Sequence, residues 1–195
     1  MNTEELNELK ERVYKTSVKH GFYKDIKPDD YYLGLVMSEA SEIINADQKE
    51  RHADIKGFEE DISKGYPLSA RFEWNIKDSV EEKIADLIIR LLDFAGMKGY
   101  TLYVGARAIY ILDSNDASQK FEESGMPGML FILMDILATS FDRDDRDELP
   151  FGISNVIYIL SDCFKKMTGS DYDLWWFVKK KIDYNDLWSV LGSDK

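Results

Sequence analysis

Two acidic pairs at helical spacing stand out in the first half of the chain. Glu39-Ala-Ser-Glu42 and Glu82-Lys-Ile-Ala-Asp86 each place carboxylates three or four residues apart, one turn apart on a single helix face. At about 100° per residue, Glu39 and Glu42 fall on a flank of the apolar stripe Leu33, Val36, Met37, Ala40, Ile43 and Ile44. Glu82, Asp86 and Asp93 share a narrow stripe beside Ile89. Carboxylates crowded at the borders of a core repel one another and are costly to desolvate. A divalent cation removes that cost, and hard oxygen donors without a Cys or His cluster suit Mg²⁺ or Mn²⁺. Each residue also has a plain structural reading. Ser79-Val-Glu81-Glu82 is a capping box, in which Glu82 bonds back to its own helix terminus. On spacing alone a solvated face is the favoured reading of Glu39 and Glu42. Spacing by itself leaves both readings open.

The elements that must position these residues are helices. The four prolines, Pro28, Pro67, Pro127 and Pro150, fall between periodic stretches, where they act as punctuation. A first helix is expected over roughly Thr3 to Lys19, stopped at His20-Gly21. The Glu39 helix starts after Lys27-Pro28-Asp29-Asp30. A polar stretch from Arg51 to Lys77 follows, with one short helix near Gly57 to Lys64. The Asp86 helix begins at Asp78-Ser79 and is ended by Gly96 and Gly99. Further helices are expected over Thr101 to Leu112, Met129 to Phe141, Phe151 to Met167 and Tyr172 to Val190, with Ser114 to Gly128 as connection. No stretch alternates apolar and polar residues long enough for a sheet, so the fold class is all-α.

The chain also repeats itself. Ile84 to Asp93 resembles Ile153 to Asp162, Tyr100-Thr-Leu102 resembles Tyr172-Asp-Leu174, and Leu35 to Glu39 can be laid on Phe131 to Asp135. Matches in the same order point to duplication, hence a tandem pseudo-dimer packed as one body, with units at 1–112 and 127–195. In the second unit Asp135, Ala138 and Asn155 stand at the ligand positions, so one competent site per chain is expected.

Composition narrows the function classes. With 44% hydrophobic residues the chain can bury a core. A net charge of −12 opposes nucleic-acid binding, since the longest basic run is Lys179 to Lys181. No apolar run approaches bilayer-spanning length, and the charged N-terminus is unlike a signal peptide, so no membrane partner and a cytoplasmic location are expected. The single cysteine, Cys163, sits in an apolar helical pattern and reads as a small core residue in a reducing compartment.

Taken in order, Leu35-Val-Met-Ser-Glu-Ala-Ser-Glu-Ile43, Arg51-His-Ala-Asp54 and Ile76 through Asp93 resemble the MazG-like branch of the all-α nucleoside triphosphate pyrophosphohydrolases. Lys19-His-Gly-Phe-Tyr23 and Lys181-Ile-Asp-Tyr-Asn185, a K-x-x-Y-N segment, extend the resemblance, while 111–150 adds little. The resemblance implies an antiparallel helix bundle in which ExxE and ExxD hold Mg²⁺. It implies hydrolysis of a nucleoside triphosphate to the monophosphate and pyrophosphate. Carried over, Glu39, Glu42 and Asp86 are metal ligands, and Glu42 is the glutamate that orients water, with Glu39 as the other catalytic candidate. Arg90, Asp93, Lys181 and Asn185 are candidates for substrate contact, with a structural Arg90–Asp86 ion pair as the alternative for Arg90. Phe22, Tyr23, Trp74, Trp175 and Trp176 are the aromatics available to a base.

Two positions depart from the family pattern. Lys83 stands where the family has the Glu of ExxD, and a protonated lysine cannot ligate a cation. Either Glu82 substitutes as ligand or the site is weakened. Trp188 stands where an Arg is expected after the Tyr-Asn pair. The alternative function is therefore a catalytically impaired helical relative that serves in nucleotide binding or assembly, with a homo-oligomer as a further form.

Overall fold

A computed structural model describes residues 1–104, 114–142 and 148–191. The described residues form eight helices and no strand: α1 (Thr3–Lys19), α2 (Asp29–Gln48), α3 (Ile55–Ser63), α4 (Leu68–Asn75), α5 (Val80–Lys98), α6 (Ser114–Asp142), α7 (Glu148–Thr168) and α8 (Leu174–Leu191). The chain is all-α, as its periodicity indicates.

Helix α5 is the centre, packing on α1, α2, α7 and α8. Its apolar positions Ile84, Leu87, Ile88, Leu91, Leu92 and Ala95 are all fully buried. Three ion pairs fix the direction of α2 against it: Glu42 with Lys83, Glu39 with Arg90, and Asp29 with Lys98. As one number falls the other rises, so the two helices run antiparallel. The same logic applies to α6 and α7, where Glu122 meets Lys166 at one end and Ser140 faces Gly152 at the other. Contacts between α2 and α6, and between α5 and α7, join the two pairs.

Approach of α1 to α5 depends on Gly96. A Cβ there would lie 2.6 Å from the Tyr14 Cβ, closer than atoms can pack. Gly96 is therefore inside α5, and it is Gly99, in the left-handed conformation, that ends the helix. Position 102 forms the next tie: Asn7 of α1 donates to the Leu102 carbonyl and accepts from its amide.

Several expectations need correction. The polar stretch carries two helices, α3 and α4, and α4 was not anticipated. Its apolar signal is thin, with Phe72 alone fully buried. Residues 101–104 are not helical, and the remainder of the helix expected over Thr101 to Leu112 lies outside the described residues. The stretch read as connection, Ser114 to Gly128, is helical, broken at Gly125 (φ 64°) with Pro127 restarting the coil. By length and composition α6 is also apolar enough to cross a membrane, contrary to the expectation of no such run. Its Met129, Leu130, Leu133, Ile136 and Leu137 are buried in the protein core, while Phe131 and Phe141 are exposed and 39% of the apolar stretch is buried.

Candidate functional site

The N-terminus of α5 is built around two buried glutamates. Ser79 caps the helix by accepting from the Glu82 amide at 3.1 Å. Glu82, only 1% exposed, returns the bond one residue further out, its Oε2 accepting from the Asp78 amide at 3.1 Å. Asp78 adopts φ 62° to make this turn, an unfavourable conformation for a side-chain-bearing residue that the cap holds in place. Glu81, 3% exposed, faces the other way: its Oε2 accepts from the Ala53 amide at 3.0 Å and its Oε1 lies 3.2 Å from His52 Nδ1. The Arg51-His-Ala-Asp54 segment is thereby clamped to α5, assisted by the Val80 amide donating to the Arg51 carbonyl.

The acidic side chains and the cations meet one turn later. Lys83 Nζ lies 2.9 Å from Glu42 Oε2, 3.4 Å from Glu82 Oε2, 3.5 Å from Asp78 Oδ1 and 3.9 Å from Asp86 Oδ2. Lys181, on α8, bonds Glu82 Oε1 and lies 3.0 Å from Asp86 Oδ2, with its ammonium 5.7 Å from the centre of the Phe72 ring. Arg90 does not pair with Asp86 as the alternative reading had it. It crosses to α2 and donates through Nη2 to Glu39 Oε1 at 2.9 Å.

The K-x-x-Y-N segment works as one helix face. Lys181 reaches the carboxylates; Tyr184 stacks on Phe72 at 4.4 Å and donates to Glu73; Asn185 lines the adjoining cavity. That cavity, of about 300 Å³, is lined among others by Glu39, Asp86, Arg90, Asp93 and Asn185. A second cavity, of about 370 Å³, shares Phe22, Arg90 and Asp93 with it and adds Tyr23, Tyr31, Tyr32, Lys24 and Lys27. Phe22, 61% exposed, stands between the two. Glu42, Glu82 and Lys181 do not line either cavity. Of the remaining aromatics, Trp74 is exposed against Tyr66, and Trp176 packs on Phe58 and Phe177; neither lines these cavities. The side chain of Trp188 lies outside the described residues.

Burial and charge set the ionisation of the cluster. Burial pushes the Asp86 carboxyl up to about 7, with the nearby Lys181 ammonium pulling the other way. Asp93 is raised by burial too, against hydrogen bonds from Tyr23 and Ser17, and its Oδ1 has no hydrogen-bond partner. For Lys83 burial disfavours the charge, but the hydrogen bond to Glu42 and the fields of Glu82 and Asp86 outweigh it and hold the pKa above that of an ordinary lysine. Lys181 is raised by the same balance, with Asp86 and Glu82 as its partners. Both lysines are therefore cations at neutral pH.

In the second half, Asp135 and Ala138 are exposed on α6 while Asn155 is fully buried on α7. These three residues form no counterpart of the acidic cluster. Sequence reasoning also missed Glu81, whose signal was masked because acidic residues are ordinary in a first helical turn. It missed the clasp of Arg12 on Asp183 and Asp186, which ties α1 to α8 beside the first cavity.

Comparison of the chain with known protein families, curated proteins and solved structures gives no match. The function is read from the residues themselves.

The donor chemistry of the cluster suits a hard cation, but its charge does not. Glu42 is held by Lys83, Glu82 by Lys181 and its cap, Asp86 by Lys181, and Glu39 by Arg90. Among the described residues no group of three or more His, Cys, Asp and Glu side chains is gathered to hold a metal ion. As placed, these residues do not fit Mg²⁺, because a divalent ion would have to share the space with the Lys83 ammonium.

Proposed function

We propose that the chain is a MazG-like helical protein that binds nucleoside triphosphates between α1, α2, α5 and α8, with its hydrolytic power curtailed at Lys83. The observation that carries this reading is convergence. Glu39 from α2, Asp86, Arg90 and Asp93 from α5, and Asn185 from α8 line one cavity, although they are up to 146 positions apart in the chain. Arg90 borders both cavities and offers a guanidinium fork to phosphate oxygens once it releases Glu39. Phe22, Tyr23, Tyr31 and Tyr32 offer ring faces to a base in the neighbouring cavity, and Lys24 and Lys27 sit on its wall. The tandem pseudo-dimer belongs to the same reading: the α2–α5 and α6–α7 antiparallel pairs, joined through α2–α6 and α5–α7, are its support.

Equilibrium dialysis and thermal shift against each NTP and dNTP test this. Saturable binding that weakens in Asn185→Ala supports the reading, and no binding by any nucleotide rejects it. A second reading is Mg²⁺-dependent hydrolysis to monophosphate and pyrophosphate by the parent chain. The unpartnered, buried Asp93 Oδ1 favours it, as a hard donor on the wall of the same cavity. Pyrophosphate release by the unmodified protein separates the two.

A further inference from the structure

The carboxylates at the start of α5 already surround a cation. Glu42, Glu82, Asp78 and Asp86 each have an oxygen within 3.9 Å of Lys83 Nζ, and they come from α2, the turn before α5, and the first two turns of α5. An arrangement of acids on three segments around one point is what a divalent ion ordinarily organises. Here the point is filled by a side chain of the chain itself. Lys83 is half-buried, its side chain 16% exposed, against an almost wholly buried Glu82 and half-exposed Glu42 and Asp78. The other acids of the cluster are provided for as well: Lys181 serves Glu82 and Asp86, Arg90 serves Glu39, and Arg51 lies 3.7 Å from Asp78. Five carboxyl groups thus face four cationic side chains.

We propose that Lys83 is a resident cation standing in the place of a divalent metal, and that removing its charge opens a divalent-cation site between Glu42 and Asp86, with Glu82 kept on its cap and on Lys181. The inference rests on the placement of the acidic cluster in the proposed function, but not on nucleotide binding. A lysine amine offers three donors and one charge, enough to hold neighbouring acids together without metal. It brings no open coordination position, so it cannot polarise a phosphoryl oxygen or activate water as a metal does. One side chain therefore gives structural independence from metal and removes the hydrolytic centre together.

The test is a Mn²⁺ titration without nucleotide, read by electron paramagnetic resonance and by thermal shift. It compares the parent, Lys83→Met, Lys83→Glu and the control Lys98→Met, whose ion pair with Asp29 lies at the far end of the same helix pair. Lys83→Met keeps most of the aliphatic stem, so it carries the test if Lys83→Glu folds poorly. The expected result is no saturable Mn²⁺ binding and no Mn²⁺-dependent shift in the parent and in Lys98→Met. Both Lys83 variants should bind at least about tenfold more tightly and gain thermal stability with Mn²⁺ in proportion. Mn²⁺ binding by the parent as tight as by Lys83→Glu overturns the proposal, as do folded Lys83 variants that bind no better than the parent. Because no nucleotide is present, failure here leaves the nucleotide-binding reading standing, and failure of nucleotide binding leaves this result unaffected.

Discussion

Glu82 is held from two sides, by the Asp78 amide and by the Lys181 ammonium, and it is almost wholly buried. With both oxygens engaged, its role is that of a cap and an ion-pair partner. Glu82→Ala should cost about 2 kcal/mol, because it removes a buried acceptor of the Lys181 ammonium and leaves that lysine to Asp86 alone, above the ~1 kcal/mol of a lost cap. Urea unfolding measures this, and a loss of 1 kcal/mol or less would show that the pair contributes little. Glu81→Ala removes the acceptor for the Ala53 amide and should cost about 2 kcal/mol. Limited proteolysis should then cut 51–77 first. The buried Cys163 thiol, pushed up to about 11 by burial, should not react with a disulfide reagent at pH 8 in the folded protein and should react fully in urea. At this scale the sequence was partly legible. Glu39, Glu42 and Asp86 were visible from spacing and resemblance, and so was the anomaly at Lys83. What Lys83 and Arg90 touch was not legible, because Arg90 has an acid one turn away on its own helix and the structure pairs it across to α2 instead.

Helix α5 shows why the elements were easier to read than their partners. Its Ser79 cap, its apolar periodicity and its glycine stop are local signals, and each acts where the sequence places it. The exception is instructive: Gly96 looks like a stop but serves contact, since it admits Tyr14 of α1. Gly96→Ala should therefore destabilise by about 1–3 kcal/mol through overpacking, even though alanine is the better helix former. A neutral or stabilising result by thermal denaturation would mean that α1 is free to shift. Two elements were hidden for physical reasons. Helix α4 is short and buries little, so packing against α3 and α8 stabilises it more than its own pattern does. The first part of α6 is polar and glycine-terminated, which reads as a connection until the break at Gly125 is recognised.

On the scale of the whole molecule, the two antiparallel pairs and the central α5 bring side chains from α2, α5 and α8 to one place, with α1 closing the cavity beside them. The all-α class was legible because no segment competes with the helical period. The chemistry of the assembled site was not, since it depends on which charge wins a shared space. Four oxygens within 3.9 Å of one ammonium make that outcome a property of the assembly and not of any single motif. The most direct measurement is pyrophosphate release from a panel of nucleoside triphosphates with Mg²⁺, comparing the parent with Lys83→Glu under identical conditions. The account expects release at background for the parent and at least about tenfold higher for Lys83→Glu, as a carboxylate replaces the competing charge. Clear turnover by the parent, unchanged or lowered in Lys83→Glu, would contradict it.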